Sequence, residues 1–166
     1  LGSRGLGDVY KRQPMDSGPM GFFYNEDVFR QAGVDATKIK TWDDYYEAAE
    51  KLKEIGAYIA ADSGDGSFYD AMVWLAGGQP FHTSADGKTV TIDLDEDAGT
   101  QRFTEFWQKM IDEGLVDTTS ATWSDRWKSR VGTGTIASVF SGAWMPSLLL
   151  SNVCLLYTSD AADDLT

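Results

Sequence analysis

Cysteine and histidine are almost missing from this 166-residue sequence, which has one of each, Cys154 and His82. Structural zinc sites of the Cys/His kind need several such ligands and are excluded. A Ser-His-Asp arrangement would have to use His82, and no G-x-S-x-G turn occurs to present a serine. His82 therefore reads as a loop histidine, not a catalytic base. Basic residues are scarce too: 14 Lys and Arg stand against 26 Asp and Glu, a net charge of -12. A nucleic-acid binder shows the opposite balance. No apolar run approaches the roughly 20 residues of a membrane span. Gly132-Thr133-Gly134 is too short for a dinucleotide fingerprint and precedes a strand instead of following one. Asp62-Ser63-Gly64-Asp65-Gly66 resembles the start of a calcium loop but lacks the Glu that closes one. The acidic runs Asp43-Asp44 and Asp95-Glu96-Asp97 sit at helix starts, where the helix dipole accounts for them. No cofactor and no metal are expected.

The two ends differ from the rest. Arg4 to Gln13 and Cys154 to Asp164 resemble translated sequencing-library adapter. The codons GAT GTG TAT AAG AGA CAG of a transposon end read Asp8-Val9-Tyr10-Lys11-Arg12-Gln13. Its reverse complement contains TGT CTC TTA TAC ACA TCT, which reads Cys154-Leu155-Leu156-Tyr157-Thr158-Ser159. One inverted repeat accounts for both ends, so residues 1–13 and 154–166 are expected to be adapter-derived and are set aside, as a fusion scar would be. The remaining segment, 14–153, is open at both ends and has no cysteine. The absence of a signal segment therefore carries no information on location, and the redox compartment is unreadable.

Within that segment strand and helix signals alternate. Met20 to Tyr24 is a short apolar and aromatic strand. Asn25 caps a short helix with Glu26 and Asp27 at its positive end, and Gly33 stops it. Thr41 to Asp44 is close to a capping box, opening a helix whose apolar face carries Trp42, Tyr45, Ala49, Leu52 and Ile55. Ala57 to Ala60 reads as a buried strand, and Phe68 to Ala76 as a largely apolar helix. Gln79 to Leu94 reads as a hairpin turning at Asp86-Gly87. Asp95 or Asp97 caps a helix with Phe103, Phe106, Trp107, Met110 and Ile111 on one face. Ser124 caps a short helix carrying Trp127. The alternation predicts an α/β sheet with helices on both faces.

Gly132 to Pro146, GTGTIASVFSGAWMP, carries the strongest signal. Ile136 to Phe140 is a β-prone apolar run, as expected of a strand buried on both faces of a parallel sheet. Ser141-Gly142-Ala143 end it in small residues, and Trp144 follows where the strand meets its loop. Open α/β sheets bind ligands at the carboxyl ends of strands. Phe68, Tyr69, Trp74, Trp123 and Trp127 also lie at or near loops, whereas Trp42 and Trp107 fall on apolar helix faces and read as core. An aromatic ring suits a pyranose, whose CH groups stack on it while hydroxyls bond to nearby carboxylates such as Asp16, Asp62, Asp65 and Asp70.

The segment as a whole resembles the extracellular solute-binding proteins of carbohydrate ABC importers, the maltose-binding-protein-like family. DSGPMGFFYNEDVFRQAGV resembles the segment where the chain crosses between lobes, near residues 14–20. TWDDYYEAAEKLKE resembles the family's "TWDE" helix; WLAGGQPF, a hairpin and FWQKMIDEGLV follow in the family's order. GTGTIASVFSGAWMP resembles its "G-K-A-A-M…G-x-W" segment, with Thr135 where Lys is frequent.

The resemblance implies one lobe of a two-lobed periplasmic-binding-protein fold, incomplete at both ends, with no enzymatic activity. It implies a bacterial substrate-binding component that closes about a hinge on a sugar or oligosaccharide and delivers it to ABC permease transmembrane subunits. A periplasmic or extracellular location follows, with a lipid anchor in the full-length protein. In the family the tryptophan after the buried strand stacks on the sugar, here Trp144. An aromatic at the start of the helix before the Gly-Gly turn contributes, here Phe68 or Tyr69. Asp65 matches a position that is often acidic and polar to the ligand, and Asp16 and Ser17 fall near the crossover. A glycosidase-like enzyme or a non-transport glycan-binding module are the alternatives.

Overall fold

A computed structural model describes residues 19–66 and 68–152. Strand β1 (Met20–Tyr24) runs antiparallel to β6 (Ser138–Gly142), with Met20 opposite Gly142 and Tyr24 opposite Ser138. Strand β2 (Ala60–Ala61) runs parallel to β5 (Val116–Asp117). A parallel bridge between Tyr58 and Ile136 ties the two ladders together. There the Tyr58 N–H donates to the Thr135 carbonyl and the Ala137 N–H to the Tyr58 carbonyl, each at 2.8 Å. The sheet surface thus runs β1, β6, β2, β5, with one antiparallel pairing at the β1 edge. The strand expected at Ile136–Phe140 is displaced to Ser138–Gly142, and only its Ile136 approach meets a parallel neighbour. An apolar run reports burial on two faces, not the direction of the strand beside it.

Both faces of the sheet are covered. Ala60 and Ala61, consecutive on β2, go to opposite sides, as do Ile136 and Ala137. The larger core takes Ala60 and Ala137 together with α1 (Glu26–Gln31), α2 (Trp42–Glu54), α3 (Tyr69–Leu75) and α4 (Ala98–Asp112). Phe29, Leu52, Met72, Phe103 and Met110 are fully buried there. Each such side chain contributes roughly 1.5–3 kcal/mol relative to exposure. The smaller core takes Ala61, Ile136 and Val139 against Trp127 and Val131 of α5 (Asp125–Gly132) and Leu149 of α6 (Met145–Asn152).

Local signals set the helix starts. Asn25 Oδ1 accepts from the Asp27 and Val28 N–H groups. At α2 the capping box closes: the Asp44 N–H donates to Thr41 Oγ1 at 3.1 Å and the Thr41 N–H to Asp44 Oδ2 at 2.9 Å. Of the two candidate caps for α4, Asp97 fills the role, accepting from the Thr100 N–H at 2.7 Å and, through its other oxygen, from the Gln79 N–H at 3.1 Å. The turn after α3 is thereby pulled against the start of α4, where Gly78 and Gly99 meet backbone to backbone. A Cβ on Gly99 would fall 2.2 Å from the Gly78 nitrogen.

Strands β3 (Phe81–Thr83) and β4 (Val90–Ile92) form the expected hairpin around Asp86-Gly87, with Phe81 opposite Ile92. It projects from the body, so Phe81, Val90 and Ile92 are exposed. His82 lies on β3 opposite Thr91, not in a loop.

Candidate functional site

The carboxyl ends of β2, β5 and β6 open on one edge of the sheet. A cleft of about 360 Å³ lies there, floored by Ala60, Ala61 and Ser138 to Ser141, and walled by Phe68, Trp123, Trp127 and Trp144. Open α/β sheets place ligands at this edge because loops diverge there and leave a crevice.

Trp144 follows β6 and precedes α6, with 53 % of its surface accessible. Its indole lies on Gly142: a Cβ at that glycine would come within 2.2 Å of both Cζ3 and Cη2. Only a residue without a side chain lets the ring fold back onto the strand. One side of the indole is braced by backbone, and the ring borders the cleft.

Phe68 lies just before α3 and also borders the cleft, braced edge-on against Trp107 with centroids 5.3 Å apart. Trp107 is buried, and its indole N–H donates to Asp62 Oδ2 at 2.8 Å. Asp62 Oδ1 accepts from the Gly64 N–H at 2.8 Å. Asp62, a candidate carboxylate for sugar hydroxyls, is thus committed to internal bonds. Tyr69 turns toward α4, its ring 5.5 Å from Phe103 and its hydroxyl 2.6 Å from Thr104 Oγ1. It is not part of the cleft wall, and neither is Asp65, which is exposed in the loop between β2 and α3. Asp16 and Ser17 lie outside the described residues.

A further part of the wall, Thr122 and Trp123, comes from the loop between β5 and α5. Asp117, at the end of β5, is buried and anchors it. Its Oδ1 accepts from the Thr119 N–H and hydroxyl at 2.9 and 2.7 Å, and its Oδ2 from Arg130 Nη1 of α5 at 2.6 Å. Burial pushes the Asp117 carboxyl up, but the Ser120 and Thr119 hydroxyls, the Thr119 N–H and the Arg130 guanidinium outweigh it and hold the group at about 2. The loop ends at Ser124, whose Oγ caps α5 by accepting from the Trp127 N–H.

Trp123 occupies the last position before that cap. Its φ is +67°, and among the described residues no other non-glycine has a positive φ. Its ring packs on buried Trp127 with centroids 5.1 Å apart, yet 39 % of its surface stays accessible beside the cleft. The loop placement of Trp123 is readable in the sequence; its backbone conformation is not.

The described lining holds hydroxyls from Thr122 and Ser141 but no charged side chain; the Ser138 hydroxyl is buried and donates to the Ile59 carbonyl. Among the described residues, no three His, Cys, Asp or Glu are grouped to hold a metal ion. The arrangement offers a surface to a flat, partly apolar molecule.

A sheet of this order with helices on both faces and an aromatic cleft at its strand ends is one lobe of the two-lobed periplasmic-binding-protein fold. Residues 2–150 match the model of the bacterial extracellular solute-binding proteins, and the chain belongs to that family. It is similar to an ABC transporter associated binding protein from B. animalis subsp. lactis Bl-04, solved in complex with β-1,6-galactobiose. The two share 53 % identity with a TM-score of 0.80, over 86 % of this chain and 35 % of that one. The galacto-N-biose/lacto-N-biose I-binding protein of an ABC transporter from Bifidobacterium longum shares the fold, with a TM-score of 0.70 and 22 % identity over 84 % of this chain and 34 % of that one. A lactose-binding protein of Rhizobium radiobacter is 28 % identical over 149 residues, 87 % of this chain and 33 % of that protein. The chain spans about a third of the length of the relatives it matches. These relatives are binding proteins, and the family is extracellular.

Proposed function

We propose that the protein containing this chain is the substrate-binding component of an ABC importer, capturing a neutral oligosaccharide and delivering it to the permease transmembrane subunits. The observation that carries this reading is the cleft at the ends of β2, β5 and β6, walled by aromatic rings and lined by no charged side chain among the described residues. Indole and phenyl rings take the CH faces of a pyranose, and hydroxyls at the cleft floor suit its polar edge. The 53 % identity to a protein solved with β-1,6-galactobiose makes a galactose-containing disaccharide the favoured ligand class. Trp144 and Phe68 form the stacking wall. Asp65, Tyr69, Asp16 and Ser17 remain candidate sugar contacts through the family resemblance alone.

The second wall comes from the rest of the protein, brought over by hinge closure. The isolated chain therefore binds sugar weakly or not at all, because a closed site buries most of its ligand. A periplasmic or extracellular position with a lipid anchor completes the reading. Residues 1–13 and 154–166 are adapter-derived in this account; the family match starts at residue 2, and sequencing the locus from genomic DNA decides the point.

Titration calorimetry on the full-length protein tests the function. Saturable heat is expected with β-1,6-galactobiose or a related neutral disaccharide, and none with galacturonate. No heat with any neutral oligosaccharide, or conversion of the sugar to product, overturns the reading.

A further inference from the structure

Trp123 combines two properties that packing alone does not explain. A bulky residue at φ +67° occupies a region that side chains with a Cβ rarely adopt, and such strain persists only where surrounding structure holds it. Here the holding groups are visible. Asp117 fixes the start of the loop through Thr119 and Arg130, Ser124 fixes its end, and Trp127 braces one side of the ring. The second property is exposure. A ring held only to fill the core would be covered, yet Trp123 keeps 39 % of its surface open beside the cleft, while Trp127 behind it is buried.

We infer that Trp123 is a ligand-contacting, specificity-determining residue: a second aromatic platform, lining the same cleft as Trp144 from a different loop, that takes one ring of a neutral saccharide of at least two units. Glycine or asparagine would meet the backbone requirement with less strain, so the tryptophan is there for its ring. The two platforms stand on different supports, Trp144 on β6 and Trp123 on the β5–α5 loop. They present separate stacking surfaces, which suits an oligosaccharide better than a single monosaccharide. This rests on the sugar-binding reading and goes beyond it by naming the residue that sets ligand length.

The test uses the full-length protein with Trp123→Ala, Trp123→Gly and Trp123→Phe, and β-1,6-galactobiose and galactose as probes. Affinity for the disaccharide is expected to fall about tenfold or more in the Ala and Gly variants alike, and to be largely retained with Phe. Thermal unfolding is expected to place the Gly variant above the Ala variant, because glycine relieves the positive φ. The wild-type preference for disaccharide over galactose narrows in both. A merely structural role makes affinity follow stability, so recovery of binding in the Gly variant overturns the inference. Unchanged affinity in both variants does the same. A wild type that binds no glycan overturns the sugar-binding reading along with this one, whereas a wild type that binds with unaffected variants overturns this one alone.

Discussion

Gly142 and Trp144 form a single unit: the indole lies on the glycine so closely that a methyl group there would sit 2.2 Å from two ring carbons. The ring is therefore aimed by the absence of a side chain two residues earlier. Gly142→Ala is expected to swing the ring off the strand and lower affinity for the sugar probe about tenfold, while far-UV circular dichroism shows the fold retained. An alanine variant with wild-type affinity, measured by calorimetry, shows that the brace does not matter.

Trp144→Ala separates binding from folding. The side chain is half exposed, so its removal is expected to change unfolding free energy by less than about 1 kcal/mol while abolishing measurable binding of the sugar probe. Urea unfolding and calorimetry on the same preparation check both halves. Loss of stability in step with binding assigns the ring to the core instead.

Asp117 gives the protein an acid limit. Its carboxyl is held at about 2, below the ordinary 3.8, so the charged form is favoured by folding. The contribution is fully present above about pH 4 and is lost as pH falls through about 2. It amounts to something on the order of 2 kcal/mol. Asp117→Asn removes this part of the dependence, so stability falls less steeply between pH 4 and pH 2 than in the wild type, and it loosens the loop carrying Trp123 at every pH. Urea midpoints at pH 6, 4, 3 and 2 that run parallel in both proteins contradict the assignment.

Gly99→Ala tests the contact between the turn after α3 and the start of α4. The added methyl group meets backbone, which cannot rotate away, and a loss of about 2 kcal/mol is expected in urea unfolding. A change within about 0.5 kcal/mol means the turn has room to shift.

What is legible in the sequence is what is local. Thr41 with Asp44, Asn25, Ser124 and the Asp86-Gly87 turn each act within a few residues, and each forms the cap or turn its spacing predicts. Features that depend on distant partners are not legible. The antiparallel pairing of β6 depends on β1, more than a hundred residues earlier. Phe68 and Tyr69 are neighbours at a helix start and look equivalent as letters. The docking of α3 on Phe103 and Thr104 sends one ring to the cleft and the other to α4. Asp62 looks like a free carboxylate until Trp107, 45 residues on, takes it as a partner. The backbone of Trp123 is set by bonds at both ends of its loop, which no pattern in the letters records.

The antiparallel course of β1 has a mechanical consequence. Because Met20 faces Gly142, the start of β1 lies about one strand spacing, roughly 4.8 Å, from the strand end that supports Trp144. A rotation about that point would have its axis beside the cleft, not at the far side of the lobe. Its lever arm to the cleft is short and its arm to the outer surface is long. A small displacement at the cleft would therefore be magnified at the distant helices.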